Sequence, residues 1–286
     1  MLTLLFDGVA YGMLLFVLAV GLAVTMGLMN FINLAHGAFA MAGGYITVMS
    51  VNRLGVPFLL CLPIAFLATA ILGGILERLL YKHMYGKPHL DQVLFSIGLV
   101  FMAVTAMDYF VGSQQQSLTL PDYLQGRFDF SAIGMGKYRL FIIVICAVLT
   151  IALQMVLSKT RFGSRLRAAV DDPRVASGLG LNVNRIFLLT FAMGSGLAGL
   201  GGALGIEVLG LDPTFPLKFM IYFLIVVSVG GTTSITGPLL AALLLGIADV
   251  MGKYYVPKLG AFIVYVLMLV VLMLRPQGLF ARRGSK

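Results

Sequence analysis

Polar side chains are scarce in this chain, so the few that cluster define the chemistry open to it. Asn30, Asn33 and His36 fall in the otherwise apolar stretch from Gly27 to Tyr45. At membrane depth each needs a hydrogen-bond partner or water. They fit an ordinary turn in which an Asn caps the next helix, or equally a helix break beside a translocation path. A second cluster, Thr232, Thr233, Ser234 and Thr236, lies between Gly230-Gly231 and Gly237-Pro238. It fits a flexible loop, or a hairpin between two half-length helices of the kind that brackets a central path in transporters. With Ser96, these give Asn30, Asn33, His36, Ser96, Thr232 and Ser234 as candidate lining residues.

The third cluster is basic and runs from Lys159 to Arg185. Asp172 followed by Pro173 reads as an N-cap and first residue of a helix that stops by Gly178 or Gly180. A second short helix precedes it, with Leu166, Ala169 and Val170 on one side. A short capped helix flanked by cations suits a docking knob for another protein; lipid phosphates are the simpler partner for its arginines.

Other chemistries fit poorly. The chain has no Gly-x-x-x-x-Gly-Lys-Ser/Thr phosphate loop, so ATP would have to bind a partner. It has no HExxH zinc motif, and His83 and His89 sit in a basic loop. Ser195 lies between Gly194 and Gly196, but no later histidine can serve as its base. No catalytic residue, metal or cofactor is expected. Ion-coupled carriers hold ionisable groups deep in the membrane. Here Asp108 and Asp249 read as lying about one turn from span ends, Asp249 paired with Lys253 at i+4.

The elements that must position these groups are membrane spans. Of 286 residues, 60% are hydrophobic and 11% charged, against about 25% charged in soluble domains; mean hydropathy is +1.01. That composition excludes a soluble enzyme, and the net charge of +9 reads as cytoplasmic-loop lysine and arginine, not as a nucleic-acid surface. Cys61 and Cys146 lie in apolar runs and read as core filler; Trp is absent. The first apolar run follows Asp7 with no basic residue before it, so it reads as a first span and not a cleavable signal.

A span needs about 20 apolar residues. The gaps between charges give two spans within 8–52, split near Asn30 to His36, then about 56–76, 93–111, 140–157, 186–206, 219–229, 238–250 and 260–274. The expected fold is an all-α polytopic membrane protein of about eight or nine spans with a broken or re-entrant segment, forming one domain over 1–286. The loops at 77–92 and 158–185 and the C-terminal tail carry three, six and four Lys or Arg, thirteen in all, against seven on the other face. The basic face should be cytoplasmic, with the C-terminus inside, the N-terminus outside and 112–138 as the main external loop. Small residues recur at i+4 as Gly194, Ala198, Gly202 and as Ser195, Gly199, Ala203, which predicts a central helix touched on several sides. Ala19, Ala23, Gly27 and Ala65, Thr69, Gly73 do the same elsewhere.

Together these segments carry a resemblance. Asn30-Phe31-Ile32-Asn33-Leu34-Ala35-His36-Gly37, Thr160-Arg161-Phe162-Gly163, Asp172-Pro173, Gly180-Leu181-Asn182-Val183, Gly230-Gly231 through Gly237-Pro238, and Arg275-Pro276-Gln277-Gly278-Leu279-Phe280 resemble the motifs of the LivH type of permease subunit from branched-chain amino-acid ABC importers. The likeness covers essentially the whole chain. It implies the ABC importer permease fold in a bacterial inner membrane. The implied partners are a second related permease, two cytoplasmic ATPases and a periplasmic binding protein. It makes Arg167, Asp171, Asp172, Pro173, Arg174, Ala176, Gly180 and Asn182 the coupling residues that seat in an ATPase. Importers more widely place an acidic residue and two alanines before the coupling glycine; Arg174, Val175 and Ala176 stand there instead. Leucine, isoleucine and valine are the implied substrates, with urea, short amides and aromatic acids carried by similar permeases.

Overall fold

The structure, a computed structural model, describes residues 1–29, 31–130, 133–231, 234–275, 278 and 279. The described residues form α1 (Leu2–Met29), α2 (His36–Leu54), α3 (Phe58–Leu79), α4 (His89–Val111), α5 (Lys137–Lys159), α6 (Arg161–Asp171), α7 (Pro173–Gly178), α8 (Val183–Leu209), α9 (Phe215–Gly230), α10 (Thr236–Tyr255) and α11 (Gly260–Leu274). Each apolar run read from the sequence is a helix. Six of these, α1, α3, α4, α5, α8 and α10, have both the length and the apolarity to cross a membrane; α9 and α11 are shorter apolar helices. The run read at 238–250 is longer as a helix: α10 has 20 residues, because Thr236-Gly237 and Met251 to Tyr255 extend it at both ends. The 16 residues of α9 span about 24 Å at 1.5 Å per residue, less than the roughly 30 Å hydrocarbon layer.

The connectors follow local chemistry. Gly55, in the left-handed region at φ 65°, ends α2; its N–H donates to the Val51 carbonyl, and that of Val56 to the Ser50 carbonyl. Between α4 and α5, Asp122–Leu124 makes one 3-10 turn and a hairpin pairs Arg127–Phe130 with Ile133–Gly136 antiparallel, Arg127 opposite Gly136. This is the surface element on the loop read as external.

The core is built around α8 and α1. From Gly194 to Ile206 every residue of α8 is buried. A Cβ on Gly202 would fall on the Ala40 carbonyl of α2, one on Gly199 on Thr69 of α3, and one on Gly201 within 2.9 Å of Leu18 of α1. Three neighbouring helices therefore press close on α8, backbone to backbone at Ala40 and through side chains at Thr69 and Leu18. Lipid offers no hydrophobic reward for helix association, so this close van der Waals contact is what holds the bundle. A second smooth seam was not read from the sequence: a Cβ on Gly12 of α1 would sit 2.7 Å from the Ala242 carbonyl of α10, and Gly246 packs against Gly8 and Gly12 in return. By contrast α4 is only loosely embedded, with Leu94, Phe101, Met102, Tyr109 and Phe110 exposed.

Candidate functional site

The basic loop folds as two helices joined at Asp172. In α6, Leu166 and Ala169 are buried and Arg161 and Arg165 face outward. Gly163 lets α6 press on the last turn of α5, where a Cβ would strike the Leu157 backbone. Arg167 fixes the same contact, its Nη1 donating to the Leu157 carbonyl at 2.5 Å. Asp171 closes α6 and is exposed. Asp172 Oδ1 accepts from the Arg174 and Val175 N–H groups at 2.9 and 3.0 Å, with Pro173 as the first helical residue, as its sequence predicts. The helix ends at Gly178, and Gly180 turns the chain at φ 83°. Asn182 then caps α8, accepting from the Arg185 N–H at 3.0 Å.

The knob therefore has two faces. Ala176 is turned inward, buried, its carbonyl accepting from the Leu181 N–H at 3.1 Å. Arg174, Val175 and Leu179 point outward, Leu179 at 78% exposure. A hollow of about 360 Å³ at the start of α8 is lined by Glu77, Arg78, Lys82, Asn182, Asn184 and Arg185. An exposed apolar pair with Arg174 beside it is what a protein partner with an apolar seat and an acidic rim would take.

The α1–α2 joint is built differently. Asn30 lies outside the described residues. Asn33 Oδ1 accepts from the Ala35 N–H and from the Tyr81 hydroxyl, both at 3.1 Å. Ser96 Oγ accepts from the Leu34 N–H at 3.2 Å and donates to the Val93 carbonyl at 3.0 Å. Gln92 Oε1 accepts from the Ile32 N–H at 3.1 Å, and its Nε2 donates to the Lys87 carbonyl at 3.0 Å. His36 lies 2.9 Å through Nε2 from the Leu18 carbonyl. A carbonyl can only accept, so Nε2 carries the proton. Phe223 stands edge-on to that ring, and Gly21 makes room for it. Asn33, His36 and Ser96 are all buried. Irregular backbone is tolerable at this depth because protein groups satisfy it.

Gln92 and Tyr81 were not singled out in the sequence. The signal for Gln92 was there: it precedes Ser96 by four residues, which puts both on one face of α4. Tyr81 carried no such signal, since it acts through an aromatic cluster with Phe31 of the α1–α2 joint, Phe95 of α4 and Phe191 of α8.

The α9–α10 break is open by comparison. Thr232 and Thr233 lie outside the described residues. Ser234 is exposed and its hydroxyl oxygen accepts from Thr236 Oγ1 and the Gly237 N–H at 3.2 and 3.3 Å. Two motifs distant in sequence meet here: the Leu279 N–H donates to the Val229 carbonyl at 2.8 Å, and Gly278 packs on Gly231. Ser234 also borders a cavity of about 190 Å³ shared with Ala23 of α1, Gln154 and Leu157 of α5, and Leu166 and Arg167 of α6. A residue read as path lining and one read as coupling thus face the same space.

At the other ends of the helices, the α8–α9 connector is tied by Asp212. Its Oδ1 accepts from the Thr214 N–H at 2.8 Å and the Thr214 hydroxyl at 2.5 Å, and Oδ2 pairs with Lys218. Partial burial opposes its charge, but Lys218 and Thr214 outweigh it and hold the carboxyl below its usual range. Asp249 departs from its expected surface pairing: it does meet Lys253, Nζ to Oδ2 at 2.6 Å, but its side chain is only 3% exposed, in a helix packed against α1, α9 and α11.

No solved structure matches the chain. Curated relatives do, over more than nine-tenths of this chain. A permease protein of the high-affinity branched-chain amino acid transport system of Pseudomonas aeruginosa, BraD, is 27% identical over 97% of this chain and 95% of its own. A probable branched-chain amino acid transport permease protein of Methanocaldococcus jannaschii, LivH, is 27% identical over 95% and 90%. The LivM permease protein of the Salmonella typhimurium high-affinity system is 26% identical over 93% of this chain and 68% of its own. A family model described as "Branched-chain amino acid transport system / permease component" matches residues 4–272, so the chain belongs to that family of membrane permeases.

Proposed function

We propose that this chain is the membrane-spanning permease subunit of an ATP-binding-cassette importer, carrying branched-chain amino acids released by a periplasmic binding protein. In this reading the whole chain is one permease domain of the bacterial inner membrane. The basic face and C-terminus are cytoplasmic, the N-terminus periplasmic. Two ATPase subunits supply the energy and a second, related permease completes the path. Similarity to both a LivH and a LivM protein supports a pair of related permeases.

The observation that carries the coupling role is the α6–α7 unit. Asp172 and Pro173 set α7 rigidly on α6, and Gly163 and Arg167 clamp α6 to the end of α5. A push on Val175 and Leu179 is therefore passed to α5 and to the cavity bordered by Ser234. Arg174 and Val175 stand where importers more widely carry an acidic residue and an alanine, so the matching ATPase groove would be acidic and apolar. No step of the cycle needs this subunit to bind nucleotide.

The test uses the reconstituted complex with its binding protein. Gly180→Val forces a branched side chain into the left-handed region, and Asp172→Leu removes the cap. Both variants are expected to insert normally, yet lose ATPase stimulation by loaded binding protein and lose leucine uptake about tenfold or more. Wild-type uptake by either variant would contradict the docking assignment.

A further inference from the structure

On the face opposite the basic loop, the ends of α1, α5, α8 and α10 enclose a cavity of about 220 Å³. Its polar lining is Asp7, Tyr11, Arg139, Asp249 and Lys253. The charges are joined in two pairs, Asp7 with Arg139 and Asp249 with Lys253, and the Lys253 ammonium lies 5.8 Å from the centre of the Tyr11 ring. The pairing leaves capacity over. Asp249 Oδ1 is buried with no hydrogen-bond partner among the described residues. A buried carboxylate oxygen without a donor carries an uncompensated desolvation cost. Arg139 contacts Asp7 through Nη1, while a guanidinium offers five N–H donors in all. Ile142, Val208 and Val250 supply aliphatic walls.

We propose that this cavity is a binding site for a zwitterionic aliphatic amino acid, the first station of the substrate inside the permease. The ligand ammonium donates to Asp249 Oδ1, its carboxylate accepts from Arg139 and Lys253, and its side chain lies on Ile142, Val208 and Val250. A bare cation meets two positive neighbours here and a bare anion meets two carboxylates; only a ligand with both charges is matched on both sides. Ionisable groups paired within a membrane bundle and facing a cavity are where transport paths are found. The inference deepens the amino-acid permease reading and rests on it for the ligand class.

The experiment measures equilibrium binding of radiolabelled leucine to the complete transporter in nanodiscs, with the binding protein left out. Saturable leucine binding is expected. Isoamylamine and 4-methylpentanoate, which keep one charge each, should compete at least about tenfold more weakly, since each loses charge-assisted hydrogen bonds. Asp249→Asn and Arg139→Gln should each weaken leucine about tenfold, and Val250→Phe, which fills the cavity and alters no charge, should abolish binding. Absence of saturable binding, isoamylamine matching leucine, or variants binding like the wild type would each overturn the proposal. If a variant fails to assemble, the competition series on the wild type decides alone. Leucine uptake driven by the binding protein is scored separately: uptake without binding removes this site and leaves the permease reading standing, whereas loss of uptake with binding retained removes the importer reading and keeps the site.

Discussion

The α1–α2 joint and the α9–α10 break look alike as sequence, both being polar, glycine-bounded interruptions before a helix. In three dimensions they are opposites. At the joint, Asn33, Ser96, Gln92 and His36 spend their polar atoms on buried backbone or on Tyr81. At the break, Ser234 is exposed, bonded among the described residues only to its near neighbours Thr236 and Gly237, and opens on a cavity shared with α6. The difference teaches that a polar residue in a membrane span is not by itself a path residue. What matters is whether its hydrogen-bonding capacity is already used inside the protein. The joint is a fastening, and the break opens on the space beside α6.

The largest effect should come from breaking the fastening. Asn33→Leu strips the acceptor from the Ala35 N–H and the Tyr81 hydroxyl at once. A buried donor left unmet costs about 1–3 kcal/mol, so the pair would remove a large part of a typical stability of about 5–15 kcal/mol. Thermal unfolding in detergent should shift down strongly, and uptake per cell should fall in proportion to folded protein. A variant that folds like the wild type but transports nothing would make the joint part of the path and erase the contrast.

Ser234→Phe probes the other side. The new ring would occupy the cavity beside Ala23 and Arg167 and break no buried bond. Exposed substitutions usually stay within about 0.5 kcal/mol, so the unfolding midpoint should barely move while uptake collapses and ATP hydrolysis loses its response to loaded binding protein. A stability loss as large as that of Asn33→Leu, with specific transport intact, would show that the break too is a fastening.

How far this contrast was legible in sequence depends on the kind of interaction. The helices themselves were, because runs of apolar residues and the i+4 glycines of α8 are local signals set by the membrane and by helix geometry. The Asp172-Pro173 cap was legible for the same reason, since donor and acceptor are two or three residues apart. The partners of Asn33 were not: Tyr81 is 48 residues away, and nothing local marks it. The Gly8, Gly12 and Gly246 seam joins α1 to α10, and neither half has meaning until the two helices are known to touch. The cavity that joins Arg167 to Ser234 depends on α6 folding back on α5, which the spacing of Leu166 and Ala169 shows only in part. The burial of Asp249 is the same case, because the surfaces that cover it come from distant segments.

A third connector sharpens the ranking with the smallest effect. The side chain that ties the α8–α9 loop is Asp212, through Thr214 and an ion pair to Lys218, whose side chain is 56% exposed, beside a backbone bridge from Gln116 to Leu211. Exposed ion pairs contribute about 0–1 kcal/mol, so Asp212→Asn, which keeps an acceptor for the Thr214 N–H, should lower stability only slightly near neutral pH. The pH dependence identifies the cause. A carboxyl held below its usual range stabilises the fold above its unfolded value of about 4 and loses that contribution as pH falls through the lower folded value. The difference in unfolding midpoint between wild type and Asp212→Asn should therefore stay constant from about pH 8 to pH 5 and shrink only below about pH 4. A difference that fades already near pH 6 would mean that Lys218 does not hold the carboxylate. One that rivals Asn33→Leu would mean that an exposed loop anchor matters as much as a buried one, and the ordering of the three connectors would fail.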